Sequence, residues 1–151
     1  MSLFTVFKIA AQGMSAQRER LEAASSNLAN SNTTRTLEGG PYRRRDVIFE
    51  VAPVEAPGQS DALFGSALSS AEQAAQGVQA TTLVTPDQTG IKIYRPDHPD
   101  ANKEGYVTMP DVDPLEETVN MLSAARSFEA NASAFQTAKE MVRASLKLGE
   151  V

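Results

Sequence analysis

The chain has 151 residues with a 41% hydrophobic count, but 22 of these residues are alanine. Small apolar side chains bury little area each, at roughly 25 cal/mol per Å², so a globule with a deep core of its own is a poor expectation. Alanine-rich helices packing closely against something, other copies of the same chain included, fit better. A net charge of −5 argues against nucleic acid as the main partner, and zero cysteines exclude a disulfide framework, thiol catalysis and zinc–thiolate sites.

Residues 3–30 read as a helix. Leu3, Phe7, Ala10, Met14, Leu21, Ala24 and Leu28 fall on alternating steps of three and four, with Gln17 the polar interruption. This is an a/d seam of the coiled-coil type, and Arg18, Glu19, Arg20 and Glu22 form the solvated face. Lys8 followed by Ile9-Ala10-Ala11 is too short for a signal-peptide core. No apolar run approaches the roughly 18 residues of a membrane helix. The helix is expected to stop near Asn30, where Ser31-Asn32-Thr33-Thr34 offers side chains that compete for backbone hydrogen bonds.

The middle, residues 36–110, is read as a β-rich segment. Gly39-Gly40-Pro41 signals a turn, leading into a strand over residues 42–51 that is rich in β-branched and aromatic residues. Residues 56–80 are mostly Ala, Ser, Gln and Gly, the composition of a loop or flexible insertion. Short strands follow at Thr81–Thr85, Ile91–Tyr94 and Tyr106–Met109. Pro96, Pro99 and several Asx residues between the last two force turns.

Residues 114–148 read as the second helix. Asp113 caps it, Pro114 suits its first position, and Glu116 gives a capping-box-like spacing. Met121, Phe128, Phe135 and Val142 step by seven. Ala124, Ala125, Ala132, Ala138 and Leu146 flank that stripe, Asn131 sits on the seam, and Gly149 marks the exit. The expected fold class is therefore mainly α with a small β part. Helical segments at 1–35 and 111–151 pair as a coiled-coil-like unit around a β-rich or irregular middle.

Little in the chain suggests covalent chemistry. His98 stands alone near Asp97, Asp100, Asp111 and Asp113, with no second His and no Cys to complete a usual ligand set, so a surface turn is the expectation. No Gly-rich phosphate loop is present. On a strand, Arg43 and Arg45 point one way and Arg44 the other, which suits a solvated strand or inter-subunit ion pairs. No enzyme activity, cofactor, metal or small-molecule substrate is expected. A polar residue on a helical seam costs stability but fixes register, which Asn131 does unless it faces water at the helix edge; the pattern leaves both open.

The stretch Ser25-Ser26-Asn27-Leu28-Ala29-Asn30-Ser31-Asn32-Thr33 resembles the N-terminal signature of bacterial flagellar axial proteins, the rod and hook family. Ser127-Phe128-Glu129-Ala130-Asn131-Ala132 is similar to their shared C-terminal motif. Glu38–Arg43 and Gly105–Asp113 narrow the resemblance to a basal-body subunit of the proximal rod.

The resemblance implies a structural subunit that stacks helically into the rod, the drive shaft carrying motor torque through the periplasm to hook and filament. It implies passage through the flagellar type III export apparatus without a cleaved signal. The implied partners are copies of itself, other rod subunits and adaptor proteins at the rod base and MS ring. The expected assembly interface is Phe7, Met14, Leu21, Asn27, Leu28, Asn30, Met121, Phe128, Asn131, Phe135 and Val142, within or between subunits, with the three asparagines setting register. A different axial protein, or a cytosolic coiled-coil scaffold, are the competing expectations.

Overall fold

A long helix, α1 (Leu3–Ala29), opens the chain, and a longer one, α2 (Pro114–Leu148), closes it. Four strands lie between them: β1 (Arg45–Pro53), β2 (Gln76–Val84), β3 (Ile91–Tyr94) and β4 (Tyr106–Met109). This computed structural model describes residues 3–37, 39–53, 76–85 and 90–148. The two helices pack against each other, and the strands form two separate two-stranded sheets, β1 with β2 and β3 with β4. The fold is mainly helical with a small β part, as the periodicities predict.

Both helix ends form where local chemistry dictates. At the close of α1, the Asn30 side-chain amide donates to the Ser26 carbonyl at 2.9 Å and the Ser31 hydroxyl donates to the Leu28 carbonyl at 2.9 Å. The same two carbonyls also accept from the backbone amides of Asn30 at 3.1 Å and Ser31 at 3.3 Å, so side chain and backbone of each residue close the helix end together. At the start of α2, Asp113 Oδ1 accepts from the Leu115 amide at 2.8 Å, the expected N-cap. Pro114, lacking an N–H, costs nothing at the first position. Glu116, expected to complete the capping box, instead accepts from the guanidinium of Arg44.

Chain contacts divide the molecule into two units. One comprises Met1–Arg18, Phe49–Thr81 and Ala125–Val151; the other comprises Glu19–Ile48 and Thr82–Ala124. In the first, Phe7 and Phe135 meet edge to face with ring centroids 4.9 Å apart, and Gly13 lies against Asn131. Position rises along α1 as it falls along α2, so these helical segments run antiparallel. Ala10, Ala16 and Ala138 are buried here.

In the second unit the buried residues include Ala23, Ala24, Val107, Met109, Val112 and Ala124, joined by Asn27 and Glu117. The β3–β4 pair is antiparallel, with Ile91 opposite Met109 and Tyr94 opposite Tyr106. Its connection turns on Asn102, whose Oδ1 accepts from the amides of Glu104 at 3.0 Å and Tyr106 at 2.8 Å. Gly105 follows with φ +82°, and a Cβ there would meet the Tyr94 ring at 2.8 Å, so no other residue fits. Tyr94 and Tyr106 close the strand ends edge to face at 5.4 Å.

Two boundaries differ from expectation. The strand expected over residues 42–51 spans Arg45–Pro53. Ahead of it, Tyr42 docks its hydroxyl on Ser26 and Asn27 of α1, and Arg44 turns its side chain to Glu116 and Glu117 of α2. The strand expected at Thr81–Thr85 begins at Gln76 and spans nine residues, so residues 76–80 are strand rather than loop. Pairing with β1, also nine residues long, outweighs the weak strand preference of Gln, Gly and Ala. The rest of the biased stretch, residues 56–75, and the exit at Gly149 lie outside the described residues.

Candidate assembly interface

The buried apolar residues of α1 are all alanines, joined by the polar Thr5 and Asn27. Ala10, Ala16, Ala23 and Ala24 are buried, whereas Phe7, Met14, Leu21 and Leu28 are half-buried flanks. The heptad residues therefore border the contact instead of filling it. Small side chains let helix backbones approach closely, and the large ones then reach around the edges. On α2 the same holds: Ala124 and Ala138 are buried, Met121, Phe135 and Val142 are half-buried, and Phe128 is 38% exposed.

The asparagines separate into two kinds. Asn27 is 1% exposed. Its Nδ2 donates to the Arg45 carbonyl at 2.8 Å, and its Oδ1 accepts from the Arg45 amide at 2.9 Å and from the Tyr42 hydroxyl at 3.0 Å. With the Tyr42 proton committed there, Ser26 Oγ donates to the Tyr42 oxygen at 3.1 Å. Asn27 thus imitates a neighbouring strand, presenting a donor and an acceptor to one residue's backbone and holding the entry to β1 on α1. Asn30 turns the chain after α1: its Oδ1 accepts from Thr33 Oγ1 at 3.2 Å, and Thr33 O accepts from the Tyr42 amide at 3.0 Å. Asn131 is half-buried, facing Gly13.

One element was absent from the expected interface. Glu117 is 2% exposed and lies four residues before Met121, so it continues the seam of α2 by one step. A carboxylate at such a position needs a cation, and Arg44 supplies it, with Nε 3.1 Å from Glu117 Oε1. The two atoms lack the alignment of a hydrogen bond, so the contact is ionic. Arg44 also reaches Asp46 at 3.2 Å and Glu116 at 3.3 Å. Burial alone would lower the Arg44 pKa, but its hydrogen bond to Glu116 and the charges of Glu117, Asp46 and Glu116 raise it above the ordinary arginine value. Extending the stripe backward from Met121 would have found Glu117 in the sequence. Its partner, more than 70 residues away, follows from no local pattern.

Large apolar side chains stand exposed on the outer side of α2. Leu115, Val119 and Leu122 are 74%, 58% and 58% exposed, and steps of four and three align them in one stripe. Ile48, Val51, Leu83 and Val84 add exposed apolar positions on β1 and β2. No helix among the described residues is long and apolar enough to cross a membrane. No group of three or more potential metal ligands occurs among them. His98 sits in the β3–β4 connection, its Nδ1 accepting from the Asp100 amide at 3.1 Å, which is turn chemistry.

The elements that carry these features match known families. Residues 7–35 match the family described as Flagella basal body rod protein, and residues 103–148 match the Flagellar basal body rod FlgEFG protein C-terminal family. The chain is 37% identical to the flagellar basal-body rod protein FlgC of Bacillus subtilis over 99% of its own length and 100% of the relative's. The chain belongs to the FlgC family of flagellar basal-body rod proteins. FlgC of Borreliella burgdorferi is 38% identical over 98% of each chain, and FlgC of Salmonella typhimurium 37% identical over 99% of this chain and 100% of the relative. Membership makes this a structural protein of the flagellar basal body. It also gives the N-terminal match a physical content, since that match contains Asn27 and Asn30 and hence the anchoring of β1 on α1.

Proposed function

We propose that this chain is a subunit of the proximal rod, assembling helically with copies of itself and with other rod subunits into the shaft that transmits motor torque. The observation that carries the reading is the similarity to FlgC proteins over nearly the whole of both chains. A shaft performs no covalent chemistry; it needs torsional stiffness from many buried contacts per subunit. Subunits that offer two different surfaces to their neighbours propagate as a helix instead of closing. The exposed stripe of Leu115, Val119 and Leu122 and the exposed apolar positions of β1 and β2 suit such a chain, because a folded monomer gains nothing by leaving them in water.

In this reading the helical segments 1–35 and 111–151 form the inner tube and residues 36–110 pack outside it. Half-buried Phe7, Met14, Leu21, Leu28, Met121, Phe135 and Val142, with exposed Phe128, complete their burial against neighbouring subunits. Asn27 and Asn30 act through the shape they impose on residues 27–45. The subunit leaves the cell through the type III export apparatus without a cleaved signal, meets adaptors at the rod base and MS ring, and lies in the periplasm.

The test is complementation of a strain lacking its own FlgC, followed by electron microscopy of purified basal bodies. Density for this chain in the proximal rod and restored swimming are expected. Recovery of the chain with the cytosol, or in another axial segment, would overturn the proposal.

A further inference from the structure

α1 contains a single glycine, Gly13, in its interior, and α2 contains none. Glycine inside a helix is unfavourable relative to alanine, so a glycine there calls for a packing reason. The structure supplies one. A Cβ on Gly13 would stand 2.9 Å from Asn131 Nδ2, 3.1 Å from its Cγ and 3.3 Å from its Oδ1. All three of the outer atoms of the Asn131 amide group crowd this one position, and the short side chain has only two torsions with which to withdraw. Every other residue of α1 carries a Cβ.

We propose that Gly13 and Asn131 form a hole-and-knob key that sets the axial register of the antiparallel α1–α2 pair in its unit. A slip of one heptad would carry Asn131 opposite Val6 or Arg20 in place of Gly13, where a side chain fills the space the amide needs. The neighbouring Phe7–Phe135 contact belongs to the same register, since its two rings meet only when Gly13 and Asn131 do. The proposal assigns Gly13 a positioning role for the rod function proposed above, and rests on that reading only where swimming is the readout.

The sign of one substitution separates this from ordinary helix propensity. Alanine is the better helix former, so Gly13→Ala raises the melting temperature if position 13 is merely helical, and lowers it if Asn131 needs the hole. The complete absence of cysteine permits a second readout without background. Cysteine pairs placed at positions 7 and 135, or at 7 and 128, report by disulfide yield on the native register and on the register slipped one heptad toward Val6.

In the purified full chain, Gly13→Ala is expected to lower the melting temperature and cut the 7–135 yield several-fold, while the 7–128 yield stays low because Val6 fills the same space. Adding Asn131→Ala to Gly13→Ala is expected to restore the melting temperature and the 7–135 yield, which excludes simple misfolding at position 13. A Gly13→Ala chain that melts higher with an unchanged 7–135 yield, or a double variant no better than the single one, would overturn the key. Failure of the unmutated chain to restore swimming in a strain lacking FlgC would count against the rod reading, while the melting and disulfide results still decide the register.

Discussion

Asn27 and Arg45 are joined through side chain and backbone: the Asn27 amide group donates to the Arg45 carbonyl at 2.8 Å and accepts from the Arg45 N–H at 2.9 Å. One residue of α1 thereby acts as a strand partner for the first residue of β1. Replacing it by alanine leaves both backbone groups without their partner in a part-buried place and the Tyr42 hydroxyl with Ser26 alone. Unpaired buried polar groups cost about 1–3 kcal/mol each, so Asn27→Ala is expected to destabilise the chain by about 3 kcal/mol. Urea denaturation followed by circular dichroism measures it; a loss under about 1 kcal/mol would mean that water replaces the Asn27 bonds freely.

The Arg44–Glu117 pair makes a prediction in which two changes do less harm than one. Removing one partner from a buried pair strands the other charge and typically costs about 3–5 kcal/mol. Arg44 keeps Asp46 and Glu116 when Glu117 is lost, so Glu117→Ala is expected to cost less, about 2–3 kcal/mol. Arg44→Met with Glu117→Met removes both charges and is expected to lie within about 1 kcal/mol of the parent. A double-mutant cycle in denaturant checks this, and strict additivity of the two single changes would refute the coupling.

Asp113 caps α2 through the Leu115 amide, while the Glu116 carboxylate is engaged by Arg44. Asp113→Ala is expected to cost about 1 kcal/mol, and Asp113→Asn a few tenths, since an amide oxygen caps nearly as well. Thermal melts of the two variants side by side give the comparison.

Leu122 separates folding from assembly. Leu122 is 58% exposed, so Leu122→Glu is expected to change monomer stability by no more than about 0.5 kcal/mol. If its stripe meets a neighbouring subunit, the same change abolishes swimming in a complemented strain. Normal motility with Leu122→Glu would remove the stripe from the interface.

Leu21 is half-buried beside the alanine line of α1. Leu21→Asp brings an unpaired charge to that edge and is expected to lower stability and assembly together. Melting of the purified variant and its incorporation into basal bodies are the two measurements. A stable chain that still builds rods would exclude Leu21 from both contacts.

Much of the fold was legible because it is local. The α2 start follows from Asp113 and Pro114 through hydrogen bonds and dihedral preferences a few residues long, and the structure reproduces it. The β3 and β4 boundaries follow from the punctuation by Pro96, Pro99 and Asn102. The first residues of β2 did not follow, since Gln76, Gly77 and Ala80 owe their extended state to β1, a partner distant in sequence. On α1 the seven-residue spacing gave greatest weight to the largest residues, which are half-buried in the chain. The fully buried apolar positions of that helix are alanines instead.

The sequence by itself determined the two helices, their caps, the small β content and the resemblance to flagellar axial proteins, since each rests on residues near one another in the chain. Tertiary structure decided the partners: Asn27 with the Arg45 backbone, Glu117 with Arg44, Gly13 with Asn131, Phe7 with Phe135. Each pair joins residues at least 18 positions apart, and which pairs form depends on how closely the alanine faces let the helices approach. That distance is a property of the packed chain, and no run of neighbouring residues contains it.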